Sequence, residues 1–184
     1  MVVFLLGLIL VFIFGISIPL IIITLFVYSL IGEWMDGPFV PTSQKESEKI
    51  LRRARLVQGQ LFLELGSGDG RLVRTAVKKY RVKGLGIEIN PILVAYSKFI
   101  SWCQGLEDAK FALGDFRKIN LSQADVLYLF LTRRSLSKLS YRIIKETKKG
   151  SLIISHGFEV PGLQKFLSEK IIAKPFPTYF YFHT

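Results

Sequence analysis

The stretch Leu61-Phe62-Leu63-Glu64-Leu65-Gly66-Ser67-Gly68-Asp69-Gly70 decides the fold. Its first half, Leu61–Leu65, is a short apolar run bounded by Gly59 and Gly66, which reads as a buried strand. Leu72, Val73, Ala76, Val77 and Tyr80 then recur on one side of a helix. A strand that turns through glycines into a helix is the opening of a β/α unit.

The pattern continues downstream. Residues 84–89 are a second strand, and Asn90 with Pro91 supplies an N-cap and an N1 proline for a helix. Ile92, Leu93, Tyr96, Phe99, Ile100 and Cys103 are its expected inward face, with Cys103 buried and inert. Ala109–Leu113 and residues 125–131 read as the third and fourth strands. A helix built on Leu136, Leu139, Ile143 and Ile144 stops at Lys148, Lys149 and Gly150. Residues 151–155 form a fifth strand. Residues 171–176 and 178–183 form a final hairpin around Pro177, with alternate burial of Phe176, Tyr179, Phe180, Tyr181 and Phe182. Upstream, Ser43 and Glu46 have capping-box spacing, and Ile50, Leu51, Ala54 and Val57 share a helical face. The expected fold is α/β and Rossmann-like, a seven-stranded, mostly parallel sheet closed by a C-terminal antiparallel hairpin.

In such sheets ligands bind beyond the carboxyl ends of the strands, at the switch point. Glu64 puts a carboxylate there, suited to a cationic amine, and the glycines let a ligand approach the backbone. Glu88 follows roughly 20 residues later at the end of the second strand, where ribose hydroxyls are held. Asp115 and Phe116 end the third strand with a carboxylate beside an aromatic ring. A dinucleotide site prefers G-x-G-x-x-G, but Arg71 occupies the third glycine's position. A ligand with an amino-acid ammonium and a ribose, and no pyrophosphate, explains Glu64 better.

The N-terminus is a different material. The chain has 184 residues, and none of its 25 Lys/Arg or 14 Asp/Glu precedes Glu33. An uncharged helix from Val2 to Ile31 reaches roughly 45 Å, more than the bilayer's hydrocarbon core, so it must tilt, kink or project. Gly15 and Pro19 mark the kink, and Ser17 and Thr24 can satisfy freed backbone groups. A cleaved signal peptide lacks support, because no basic n-region precedes the run and no A-x-A pattern follows it. The expected organisation is a single transmembrane anchor over 1–32, a linker over 33–41 and one domain over 42–184. Lys45, Lys49, Arg52 and Arg53 follow the anchor, so the domain is expected on the cytoplasmic face, or on the matrix face of a mitochondrial membrane. Disorder and a disulfide scaffold are excluded, since half the residues are apolar and Cys103 is the single cysteine. The net charge of +11 rests on Arg52, Arg53, Arg55, Lys78, Lys79, Arg81, Lys83 and others on solvated positions. It is read as proximity to anionic lipid rather than nucleic-acid binding. No metal cluster is visible in the sequence.

Residues 60–184 resemble the class I S-adenosylmethionine-dependent methyltransferases, with ELGSGDG, GIEIN and GDF as the cofactor motifs. The whole chain resembles, more narrowly, the membrane-anchored protein-lysine methyltransferases related to the mitochondrial ATP-synthase c-subunit and adenine-nucleotide-translocase enzymes. That likeness is carried by the anchor, PFVPTS at 38–43, ELGSGDGR, GIEINP, DVLYLFLT at 125–132 and LIISHGF at 152–158. The resemblance implies S-adenosyl-L-methionine as cofactor. Glu64 and the backbone of Gly66, Ser67, Gly68, Asp69 and Gly70 would hold its methionine part. Glu88, with the neighbouring Ile89 and Asn90, would meet the ribose, and Asp115 and Phe116 the adenine. Phe39, Pro41 and Thr42 would close over it. Amino-methylating nucleic-acid enzymes commonly carry [N/D]-P-P-[Y/F] after the fourth strand; Leu129-Phe130-Leu131-Thr132 stands here instead.

Several of these residues have plainer readings. Asn90 is first a helix cap, and Phe116 suits the core equally well. Phe130, Leu131, Thr132 and His156 are acceptor-pocket candidates, although His156 is read first as a structural histidine, and no general base is assigned. The expected partners are the bilayer and a membrane-associated protein whose lysine is methylated. The alternatives are a lipid or quinone headgroup methyltransferase, or an adaptor that binds the cofactor without catalysis.

Overall fold

The structure is a computed structural model that describes residues 7, 11–12, 14–24, 26–27 and 40–184. Residues 14–24 are helical, with Thr24 Oγ1 donating to the Leu20 carbonyl at 2.8 Å. Among the described residues no helix is long and apolar enough to cross a membrane. Residues 1–6, 8–10, 13, 25 and 28–32 of the expected anchor, Phe39 and the other linker residues before Val40 lie outside the described residues.

The domain begins with α1 (Gln44–Ala54), capped by Ser43, whose hydroxyl accepts the Glu46 N–H at 3.2 Å. Then come β1 (Leu61–Leu65), α2 (Arg71–Tyr80), β2 (Lys83–Glu88), α3 (Pro91–Cys103), β3 (Ala109–Leu113), β4 (Val126–Leu129), α4 (Arg133–Glu146), β5 (Leu152–His156), β6 (Leu167–Ile171) and β7 (Thr178–Phe182). They build a seven-stranded sheet in the order β3-β2-β1-β4-β5-β7-β6. The first five strands of that order are parallel, and β7 runs antiparallel to β5 and β6. The chain reverses its direction of winding between β1 and β4, so the switch point falls beside Glu64.

Both sheet faces are covered, which is why the inner strands read as nearly continuous apolar runs. One layer packs Ile50 and Leu51 of α1, Leu72, Val73 and Val77 of α2 and Val94 of α3 against Phe62, Tyr128, Ile154 and Phe180. The other packs Leu136, Leu139 and Ile143 of α4 against Leu63, Leu65, Leu127 and Leu129.

Four sequence expectations are corrected. Val57 is exposed, because α1 ends at Ala54 and Arg55 turns left-handed. In α3 the buried side chains are Val94, Ser97 and Ser101, while Ile92, Tyr96, Phe99, Trp102 and Cys103 are exposed. Small residues face the sheet because the glycine loop crowds that side: Ser97 Oγ donates to the Gly68 carbonyl at 3.3 Å. β7 does not alternate, since Tyr179, Phe180 and Tyr181 are all buried. It lies inside the sheet between β5 and β6, with Phe180 in one layer and its two neighbours in the other. Finally, the hairpin's first strand is Leu167–Ile171, so residues 172–176 belong to its connection.

Candidate active site

The loop after β1 is tied over the end of β2. Gly66 and Ser67 both donate to the Ile87 carbonyl, at 2.8 and 3.0 Å, and Gly70 N–H closes on Ser67 O at 2.8 Å. Gly70 caps α2 at φ +72°, and a Cβ there would meet Phe111 Cε1 at 2.4 Å, so glycine is required on both counts. At Gly66, φ +74°, a Cβ would come within 3.1 Å of Leu131 Cδ2. The acceptor candidate Leu131 therefore lies close to the glycine loop.

Glu64 is 6% exposed, and its Oε2 has no hydrogen-bond partner among the described residues. Burial pushes its carboxyl well above the usual range, and the nearby charges of Asp69 and Glu88 add to the effect. Ser67 Oγ is likewise buried without a partner. A buried carboxylate with an unmade bond is costly unless a cation completes it.

The Glu88 carboxylate accepts Gly68 N–H on Oε2 at 2.8 Å, and Ile89 and Asn90 N–H on Oε1, each at 2.9 Å. A carboxylate has about four lone-pair sites, so Glu88 retains capacity for a hydroxyl. Asn90 performs the cap read from sequence, accepting Ile92 N–H at 2.9 Å. Asp115 caps the turn after β3: its Oδ1 accepts from Arg117 N at 2.9 Å and Nε at 2.8 Å. The hydrogen bond from the Arg117 guanidinium is the main reason its carboxyl is held below the ordinary range. Phe116 is 5% exposed and joins the core on the α4 side, which favours the packing reading.

Two arginines emerge that the sequence reading gave no role. Arg71 pairs with Asp69 at 2.5 Å and donates from Nη1 to the Thr42 carbonyl at 3.2 Å, linking the loop to the segment that leads into α1. Arg74 is 8% exposed and donates to the Asp69 carbonyl at 2.6 Å. Arg71 stands where a dinucleotide loop would carry glycine, and that departure was the available signal.

On the far side of the switch point, β4 ends at Leu129, leaving Phe130, Leu131 and Thr132 in the connection to α4. Thr132 caps α4, accepting Ser135 N–H at 3.2 Å. His156 ends β5, fully buried, its ring centroid 4.6 Å from Phe130 and 5.7 Å from Phe176. Its Nδ1 lies 2.9 Å from Thr178 Oγ1. Burial lowers its pKa to about 4, so the ring is neutral near pH 7. Glu46 of α1 approaches Nε2 with Oε1 at 3.7 Å. In sequence Glu46 reads only as a capping residue.

Comparison with known proteins fits this geometry. The family model described as "ANTKMT methyltransferase domain" matches residues 64–166. A protein-lysine N-methyltransferase of Saccharolobus islandicus is 33% identical over 127 residues, 68% of this chain and 79% of that protein. The human ATP-synthase c-subunit lysine N-methyltransferase is 34% identical over 125 residues, 67% of this chain but 53% of that protein. The matched region thus spans about half the length of the human relative. Among solved structures, an RNA methyltransferase from Salinibacter ruber in complex with S-adenosyl-L-homocysteine superposes with a TM-score of 0.72 at 27% identity, over 77% of this chain and 92% of that one. The chain belongs to the ANTKMT methyltransferase family, within the class I S-adenosylmethionine-dependent methyltransferases.

Proposed function

We propose that this protein is a membrane-tethered, S-adenosylmethionine-dependent protein-lysine N-methyltransferase acting on a membrane-associated protein. The observation that carries the cofactor reading is the buried Glu64 carboxylate beneath the glycine loop, whose Oε2 has no partner among the described residues. It fits an amino-acid ammonium, as Glu88 fits vicinal hydroxyls. Lysine as acceptor is supported by the names of the relatives, a protein-lysine N-methyltransferase and ATP-synthase c-subunit lysine N-methyltransferases. Tethering is supported by the uncharged first 32 residues and by Lys45, Lys49, Arg52 and Arg53 that follow. The domain then faces the cytoplasm, or the matrix of a mitochondrion.

When bound, the cofactor supplies an electrophilic methyl group on a sulfonium. The chain's residues supply orientation and water exclusion. Glu64 would hold the ammonium of the amino-acid end, and Arg71 holds the Asp69 side of the loop against Thr42. Leu131, beside Gly66, with Phe130 and His156 makes an apolar wall on the acceptor side. A free lysine has a pKa near 10.4, so its deprotonation at pH 7 costs roughly 4.6 kcal/mol. An apolar wall lowers that cost, and alignment of donor and acceptor supplies much of the remaining acceleration.

RNA is the second reading, because the Salinibacter ruber neighbour is an RNA methyltransferase. The Leu129-Phe130-Leu131-Thr132 sequence, lacking the [N/D]-P-P-[Y/F] pattern, weighs against amino-methylation of a base. Incubating the full chain with methyl-labelled cofactor and a membrane fraction separates the readings. Label on lysine Nζ, located by mass spectrometry, is expected. Label in extracted lipid or in RNA instead overturns the lysine reading, and tight cofactor binding without any transfer points to an adaptor.

A further inference from the structure

We propose that Glu46 and His156 form the seat of the acceptor amine: the Glu46 carboxylate takes a proton from the incoming ammonium, and the His156 imidazole holds the amine that results. This rests on the methyltransferase reading above and assigns that site its acceptor half.

The His156 ring is fully buried, yet its Nε2 has no hydrogen-bond partner among the described residues. The neighbouring Glu46 Oε1, at 3.7 Å, is beyond hydrogen-bond reach. A nitrogen admitted about 2.8 Å from both atoms would complete both. In the tautomer whose Nδ1 donates to Thr178 Oγ1, Nε2 presents a lone pair to that nitrogen. Phe130 and Phe176 meet His156 edge-on and each other at 5.4 Å, so the His156 side of the pair is apolar.

The sheet register puts this pair on the correct side. Glu64 pairs with Tyr128 and Tyr128 with Ile154, and Phe130 and His156 lie two residues further toward the carboxyl ends of β4 and β5. The cofactor motifs occupy the ends of β1, β2 and β3. The acceptor therefore falls to β4 and β5, across the switch point and about two strand spacings, or roughly 10 Å, from β1.

The step moves one proton. An N–H bond of the ammonium breaks, an O–H bond forms on Glu46, and the electron pair stays on nitrogen as the nucleophile. Burial raises the Glu46 carboxyl, partly offset by Lys49, which makes it a better proton acceptor. The groups facing it are Lys49 on its own helix, His156 on β5 and Tyr128 on β4. Burial and the charge of Glu64 keep the Tyr128 phenol protonated, and His156 is neutral, so neither repels a cation.

The test uses the full chain in detergent, loaded with S-adenosylhomocysteine, and n-butylamine as a mimic of the lysine side chain. Calorimetry is expected to show binding to the parent that is weakened at least tenfold in Glu46→Gln and in His156→Phe. In transfer to poly-L-lysine, Glu46→Gln is expected to lose about 100-fold in rate near pH 7. That deficit should close toward pH 10, where free lysine sheds its own proton, and Glu46→Asp should restore part of the rate. Unchanged butylamine binding in Glu46→Gln overturns the proposal. So does a deficit that is the same at both pH values, the mark of a merely structural role. If the parent fails to label poly-L-lysine while butylamine binding still depends on Glu46, the amine seat stands and the lysine methyltransferase reading falls.

Discussion

Glu64 shows at single-residue scale how a site stores instability. Its carboxyl is buried, raised well above the usual range and incompletely hydrogen-bonded. A folded-state pKa above the unfolded value means that its contribution to stability is present below about pH 4.5 and is lost as pH rises through the folded value. Glu64→Gln removes the buried charge, so the variant should melt a few degrees higher than the parent at pH 8 while binding S-adenosylmethionine at least tenfold more weakly. Scanning calorimetry and titration calorimetry check the two halves, and a variant that binds as tightly as the parent sinks the ammonium role. His156 has the opposite sign. Its pKa is depressed to about 4, so its contribution is present above pH 6.5 and lost as pH falls toward 4. The full shift corresponds to about 3 kcal/mol. A melting series from pH 7.5 to 4.5 should therefore fall more steeply for the parent than for His156→Phe; parallel curves exclude the effect.

At the scale of elements, two contacts position the site. The glycine loop is held by its passage over β2 and by the start of α2, and Gly70 lies against Phe111. Gly70→Ala should cost about 1–3 kcal/mol through the strained φ and the clash, lowering the denaturant midpoint and weakening cofactor binding together. β7 is the second case. Tyr181 is 1% exposed, and its hydroxyl accepts Val160 N–H at 3.0 Å. Tyr181→Phe removes that acceptor and leaves a buried N–H, a loss of about 1–3 kcal/mol measurable in urea.

Over the whole molecule, charge and hydropathy divide the chain at Glu33, and the side chains of residues 33–184 carry all of the +11. If residues 1–32 span a bilayer, the full chain should stay with membranes through alkaline carbonate extraction and leave only with detergent. Release by carbonate or by salt would show peripheral attachment through the basic surface instead.

Local patterns made much of this legible in advance. A strand of five apolar-rich residues, a glycine loop and Asn90-Pro91 are interactions between near neighbours, and each took its expected form. The carboxylates Glu64 and Glu88 were legible for the same reason, since strand ends in an open parallel sheet converge at one edge. Long-range crowding was not legible. α3 turns its aromatic residues outward because Ser97 must fit beneath the glycine loop, and β7 is apolar throughout because a strand from the end of the chain enters between β5 and β6. Nor does any spacing connect Glu46 to His156, or Arg71 to Thr42. The sequence by itself determined the fold class, the strand-end positions of Glu64 and Glu88 and the break at Glu33, all written in short-range periodicity and composition. Only the tertiary structure decided which polar atoms lack partners, because an unmade hydrogen bond is defined by what the rest of the chain brings to it.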